Sequence, residues 1–233
     1  MEAAETGTGH ARIETVLGPI APDALGATLM HEHLLCDLTP PARRGQGLPE
    51  PEITLETIFD MGYRPGRYHG NHRLQDVALA TREAAAFKAD GGGAIVELTT
   101  GGIVPDPEGL AAIARGAGIH VVLGAGFYTE NFLDADTLAL STEALTEITL
   151  GQLTEGAWGT KVRCGLIGEI GCSWPLTPFE RRSLKSGARA QIATGAAITI
   201  HPGRDRAAPD EILDVLEAEG ADISRVVIGH MDR

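Results

Sequence analysis

Thr28-Leu29-Met30-His31-Glu32-His33-Leu34-Leu35-Cys36-Asp37-Leu38-Thr39-Pro40 is the stretch that decides the architecture. Thr28–Leu35 is short and largely apolar outside its His-Glu-His centre, the pattern of a strand. It runs straight into a polar turn and a proline-bearing loop, Thr39–Glu50, in which Arg43 and Arg44 are adjacent. A doubly wound nucleotide-binding sheet needs a glycine-rich turn directly after its first strand, so that backbone can approach a pyrophosphate. Here there is none. The glycines at Gly91–Gly93 and at Gly124-Ala125-Gly126 lack phosphate-loop spacing, and no P-loop or GxSxG elbow occurs.

Working outward, five more runs of the same kind follow: Ala94–Leu98, His120–Ala125, Gly165–Ile170, Ala197–His201 and Arg225–His230. Several are continuously apolar, as parallel strands covered on both faces should be. Between them lie stretches with helical spacing. Leu74–Ala89 is followed by Gly91 as a stop, and Pro107–Arg115 by Gly116. Thr177–Thr194 opens with a capping threonine, a proline and Glu180, and Pro209–Glu219 ends at Gly220. Strand alternating with helix predicts a parallel α/β domain over residues 1–233, closed as a barrel and not open.

Bulk properties narrow the function. With 233 residues and 43% hydrophobic content, the chain can bury one sizeable core. Its formal net charge of -13 argues against nucleic acid and anionic membrane surfaces as partners. No run approaches the ~18 apolar residues of a membrane span, and Met1–Thr15 lacks the pattern of a signal peptide. A cytoplasmic protein with a small-molecule substrate is expected. Cys36, Cys164 and Cys172 are odd in number and form no CxxC, so they read as buried free thiols.

The chemistry sits at strand ends. Period 2 puts His31 and His33 on one face, about 6–7 Å apart, close enough to converge on one metal ion. Glu169, His201 and His230 each fall at or near the end of another predicted strand. In a β/α barrel that is the rim on which active sites are built. Five ligand-type residues at four strand ends point to metal ligation, because buried carboxylates and imidazoles are costly unless paired. His10, His69, His72 and His120 have no such placement and read as ordinary. Glu32 and Glu97 are expected to point away from the centre or to bond neighbouring backbone, and Trp174 to be core.

Leu17-Gly18-Pro19-Ile20 followed by Gly26-Ala27-Thr28-Leu29-Met30-His31-Glu32-His33-Leu34 resembles the opening signature of the phosphotriesterase family, within the amidohydrolase superfamily. The stretches Gly165–Thr177, Ile200–Arg204, Gly220–Arg225 and Gly229–Arg233 are similar to its branch of phosphotriesterase-related proteins. The resemblance implies a TIM-type (β/α)8 barrel with two divalent metal ions, usually zinc. His31 and His33 would hold the more buried ion, His201 and His230 the more exposed one, and Glu169 would bridge them. It further implies hydrolysis of an ester, phosphoester or amide by water activated between the metals, small N-acyl amides such as N-acetyltaurine included. Tyr128 and Arg204 are the candidate substrate contacts. The family's catalytic Asp ends an eighth strand, which has no counterpart before Arg233. The expectation is therefore a barrel truncated after its sixth strand, a homodimer through its open edges, and, as the alternative to an enzyme, a catalytically impaired metal-binding fragment.

Overall fold

The computed structural model describes residues 11–47 and 50–232. The readings of the first ten residues, His10 among them, lie outside these, as do two positions of the proline-bearing loop and Arg233. The described residues begin with a hairpin, β1 (Ile13–Thr15) and β2 (Gly18–Ile20), then run through β3 (Ala27–Glu32), β4 (Cys36–Asp37), α1 (Ile58–Tyr63) and β5 (Arg73–Leu74). They continue as α2 (Val77–Ala89), β6 (Gly92–Glu97), α3 (Pro107–Ala117), β7 (His120–Ala125), α4 (Ala135–Leu138) and α5 (Thr142–Thr154). The last elements are β8 (Leu166–Gly171), α6 (Pro178–Thr194), β9 (Ile198–His201), α7 (Ala208–Ala218) and β10 (Val226–Ile228).

Six strands form one sheet in the order β3-β6-β7-β8-β9-β10, every neighbouring pair parallel. The order follows the chain and never turns back. A doubly wound sheet reverses at its switch point, whereas a barrel adds each strand beside the last. The sheet is thus the six-stranded arc of a TIM-type barrel, as the missing glycine-rich turn predicted. Helices cover its outer face. Leu110 and Ile113 of α3 pack with Ile95 and Val121 beneath them, and Leu184, Ile212 and Leu216 pack over Ile167, Ile198 and Ile200. Full burial of such a side chain contributes about 1.5–3 kcal/mol, so the two clusters tie the helices to the sheet firmly.

Local chemistry explains where the observed elements depart from the expected ones. Leu74 pairs with Cys36 in a short antiparallel ladder, and the helix expected from Leu74 starts only at Val77. Asp76 sets that start by accepting a 2.9 Å hydrogen bond from the Leu79 N–H. Gly116 does not stop α3; Gly118, in the left-handed region at φ 69°, does. At the start of α6 the expected box is complete: Glu180 N–H donates to Thr177 Oγ1 and Thr177 N–H to Glu180 Oε2, each at 3.1 Å. Trp174 is not core but 37% exposed. The three thiols are free and buried, as read, and burial pushes Cys36 up to about 11. Among the described residues no helix is long and apolar enough to cross a membrane.

Candidate metal centre

Glu169 stands near the end of β8 and is fully buried. The register of β8 on β9 shifts between Ile167 and Ile170, an irregularity of the kind that re-aims a side chain at a strand end. The backbones there are very close. A Cβ on Gly124 of β7 would lie 1.6 Å from the Gly168 carbonyl oxygen, and one on Gly168 would lie 2.1 Å from that of Thr199. Glycine at both positions lets β7, β8 and β9 converge beneath the carboxylate.

Four imidazoles surround it. His31 Nε2 lies 3.0 Å from Glu169 Oε2, His201 Nδ1 3.2 Å and His230 Nε2 3.4 Å from the same oxygen, and His33 Nε2 3.4 Å from Oε1. The structure therefore brings together all five residues singled out by their strand-end positions. His33 lies one residue past β3, yet its ring centroid is 6.2 Å from that of His31, within the span expected of alternate strand positions. His230 follows β10 with φ 55°, and its ring is 4.5 Å from both His31 and His201, so it stands between the two.

Electrostatics favour an ionised carboxylate. Burial works to raise the Glu169 pKa, but hydrogen bonds from His201, His31 and His33 overcome it and hold the group well below the usual carboxylate range. Burial likewise works to lower that of His33, and the bond to Glu169 with the charges of Glu97, Glu169 and Glu32 raises it instead.

These residues fit divalent ions. Four ring nitrogens crowd the two oxygens of one buried carboxylate. His201 Nδ1 meets three groups at once: Glu169 Oε2 at 3.2 Å, His230 Nε2 at 3.0 Å and the Tyr128 hydroxyl at 3.4 Å. One ring nitrogen carries at most one proton or one lone pair, so it cannot satisfy all three. Nitrogen and oxygen ligands about 2.1 Å from a tetrahedral ion stand about 3.4 Å apart, close to the spacings found here. Ligand atoms of His31, Glu169 and His230 all lie within 4.8 Å of one another.

Of the two candidate substrate contacts, Tyr128 faces the centre, with its ring centroid 5.1 Å from that of His201. Arg204 is exposed and lines a cavity of about 510 Å³ together with His230, Asp205 and Met231.

The supporting residues were hidden in the sequence. Glu97 is fully buried and accepts from the backbone N–H groups of Leu34 and Thr99, so the backbone half of its expectation holds. It does not point away, however, since Oε1 lies 3.9 Å from His33 Nδ1. Thr99 Oγ1 bonds His33 Nδ1 at 2.9 Å, and Thr100 Oγ1 donates to the Glu169 carbonyl at 3.1 Å. Their one visible signal was position, directly after the apolar run of β6. Such partners fix the orientation of a ligating imidazole. Thr99→Val should weaken metal affinity about 10–100-fold without unfolding the chain, as competition with a zinc-chelating dye would measure; unchanged affinity would remove Thr99 from the centre.

A parallel β/α arc that gathers five ligand-type side chains from four strands at its carboxyl rim defines a barrel protein with its chemistry at that rim. The model of the phosphotriesterase family matches residues 11–233, and the chain belongs to that family. It is 42% identical over 228 residues to the N-acetyltaurine hydrolase of Xenopus tropicalis, covering 95% of this chain and 65% of that protein. With the human N-acetyltaurine hydrolase the identity is 40% over 227 residues, with the same shares. The chain thus spans about 65% of the length of these curated relatives. Among solved structures, a resiniferatoxin-binding protein from Rhodobacter sphaeroides superposes with a TM-score of 0.85 at 41% identity, over 94% of this chain and 63% of that one. A phosphotriesterase homology protein from Escherichia coli, with phosphate in its active site, gives 0.73 at 27%, over 89% and 63%.

Proposed function

We propose that this protein is a two-zinc hydrolase of small N-acyl amides, with N-acetyltaurine as the first substrate to try. His31, His33, Glu169, His201 and His230 would hold the ions. The observation that carries the proposal is the convergence of four imidazoles on one buried carboxylate, with His201 Nδ1 set against three groups that one ring nitrogen cannot satisfy. The substrate class rests on the relatives at 40–42% identity. Divalent ions held there supply Lewis acidity for the scissile carbonyl and acidify water toward neutral pH.

The chain's own groups do the rest. Glu169 stays ionised and offers an oxygen to each side of the centre. Thr99 fixes the His33 ring, so the Nε2 atom that faces Glu169 does not swing away. Tyr128 closes the side of the pocket next to His201, and Arg204 offers a fork of donors to an acidic head group entering past His230. The same reading puts the protein in the cytoplasm, where its three thiols stay reduced. A second copy meeting the outer strands β3 and β10 would cover Met30 and Val227, which are 63% and 55% exposed.

Metal analysis by mass spectrometry, paired with taurine release from N-acetyltaurine, tests the proposal. Two equivalents of zinc and turnover that chelation abolishes and zinc restores are expected. Stoichiometric metal without turnover on N-acyl amides, esters or phosphoesters would instead favour a metal-binding protein that has no hydrolytic role.

A further inference from the structure

The first turn of α6 supplies none of the candidate ligands, yet it grips the loops around them. Glu180 completes the capping box with Thr177, and a capping box asks only that its carboxylate reach back to one backbone N–H. An exposed side chain can do that. Glu180 is instead fully buried, and it accepts three further hydrogen bonds from outside its helix. Oε2 takes the Ser173 N–H at 2.9 Å beside that of Thr177. Oε1 takes the Ser173 hydroxyl at 2.8 Å and the Glu130 N–H at 3.4 Å.

A buried carboxylate is costly unless its oxygens are satisfied, and these donors belong to two different rim loops. Glu130 follows β7, two residues past Tyr128, whereas Ser173 follows β8, four past Glu169 and one before Trp174. A third loop rests on the second. A Cβ on Gly203 would lie 2.6 Å from the Ser173 carbonyl carbon and from the Trp174 nitrogen, so the backbone leading from His201 to Arg204 lies directly on the residue that Glu180 holds. The neighbours of Glu180 on α6 reinforce the grip. The Phe179 ring meets Phe127 edge-on with centroids 6.2 Å apart, and Arg182 donates to the carbonyls of Leu138 and Leu140, farther along the loop after β7.

We propose that Glu180 is a positioning residue for the substrate pocket: its carboxylate fixes the loops after β7 and β8, and through Gly203 the one after β9, so that Tyr128 and Arg204 keep their places beside the metal centre. Glu180 bonds none of the five candidate ligands. Its loss is therefore felt in substrate binding and not in metal retention. The kinetic part of the inference rests on the proposed hydrolase activity; the holding of the loops does not.

Glu180→Gln keeps the volume, but whichever way its amide turns, an NH2 group faces the Glu130 N–H or the Ser173 N–H and one loop bond breaks. KM for N-acetyltaurine is expected to rise about tenfold, with kcat and zinc content changed less than about twofold. Thr177→Ala is the control, since it removes the cap bond from the Glu180 N–H and leaves the loop bonds; its melting temperature falls and its KM stays. An unchanged KM in folded Glu180→Gln, or an equal rise in Thr177→Ala, overturns the proposal. Acrylamide quenching of Trp174, read in a Trp158→Phe background, follows the loop without turnover and is expected to rise in Glu180→Gln but not in Thr177→Ala. If the chain hydrolyses no N-acyl amide, the hydrolase reading falls and quenching alone decides, an unchanged value overturning the proposal. Should Glu180→Gln not fold, Ser173→Ala, which removes only the hydroxyl bond, carries the same measurements.

Discussion

Glu169→Ala is expected to purify without metal and to hydrolyse nothing above background, a loss of at least about a thousandfold, or some 4 kcal/mol in transition-state stabilisation. The magnitude follows from its position. Among the described residues Glu169 is the one carboxylate that all four imidazoles approach, so in the proposed centre its removal would take away both oxygens they share. It also leaves His31, His201 and His230 clustered around the atom position where they had shared a negative charge. Glu169→Gln separates charge from shape, because it keeps the volume and one acceptor oxygen. Metal content measured beside a circular-dichroism spectrum distinguishes lost ligation from lost fold. Full metal content in a folded Glu169→Ala protein would sink the assignment.

Gly124→Ala should be nearly as damaging, through packing alone. The added carbon would lie 1.6 Å from the Gly168 carbonyl, which is backbone and cannot rotate away, so β7 and β8 must separate just where Glu169 is presented. Overpacking in a core commonly costs about 1–3 kcal/mol and more when backbone must shift, against a total stability of about 5–15 kcal/mol. The expected result is an insoluble protein, or a soluble one with a much lower denaturant midpoint and little bound metal. Gly151→Ala is the control. Gly151 lies within α5 and a Cβ there meets nothing within 4 Å, so helix propensity should make that change neutral or stabilising by up to about 1 kcal/mol. Equal effects of the two substitutions would show that close strand approach at Gly124 is not what limits stability.

The inner strands of the arc, β6 to β9, were legible because both faces are covered, which writes them as nearly unbroken apolar runs. Helix α5 was not. Its sequence, Thr142-Glu143-Ala144-Leu145-Thr146-Glu147-Ile148-Thr149-Leu150-Gly151-Gln152-Leu153-Thr154, mixes β-branched threonines with few apolar positions, and it buries only Leu145, Thr149 and Gln152. Tertiary packing and the Ser141 cap, whose hydroxyl accepts from the Ala144 N–H at 3.3 Å, make it a helix. The β1–β2 hairpin and the β4–β5 ladder are too short for any periodicity to announce them. The five candidate ligands could be found because strand ends are predictable positions in a β/α fold. Thr99 and Thr100 could not, since each gains meaning only from a neighbour distant in sequence: Thr99 from His33, Thr100 from Glu169.

The end of β6 contributes none of the five candidate ligands, yet Glu97 holds the backbone after His33, Thr99 holds its ring and Thr100 holds the backbone of Glu169. For anyone seeking new substrates by directed evolution, this separates the molecule into two parts with different tolerance. The side chains at Tyr128 and Arg204 are the positions to randomise, while diversity introduced at residues 97–100 would be spent on clones whose candidate ligands are no longer held in place.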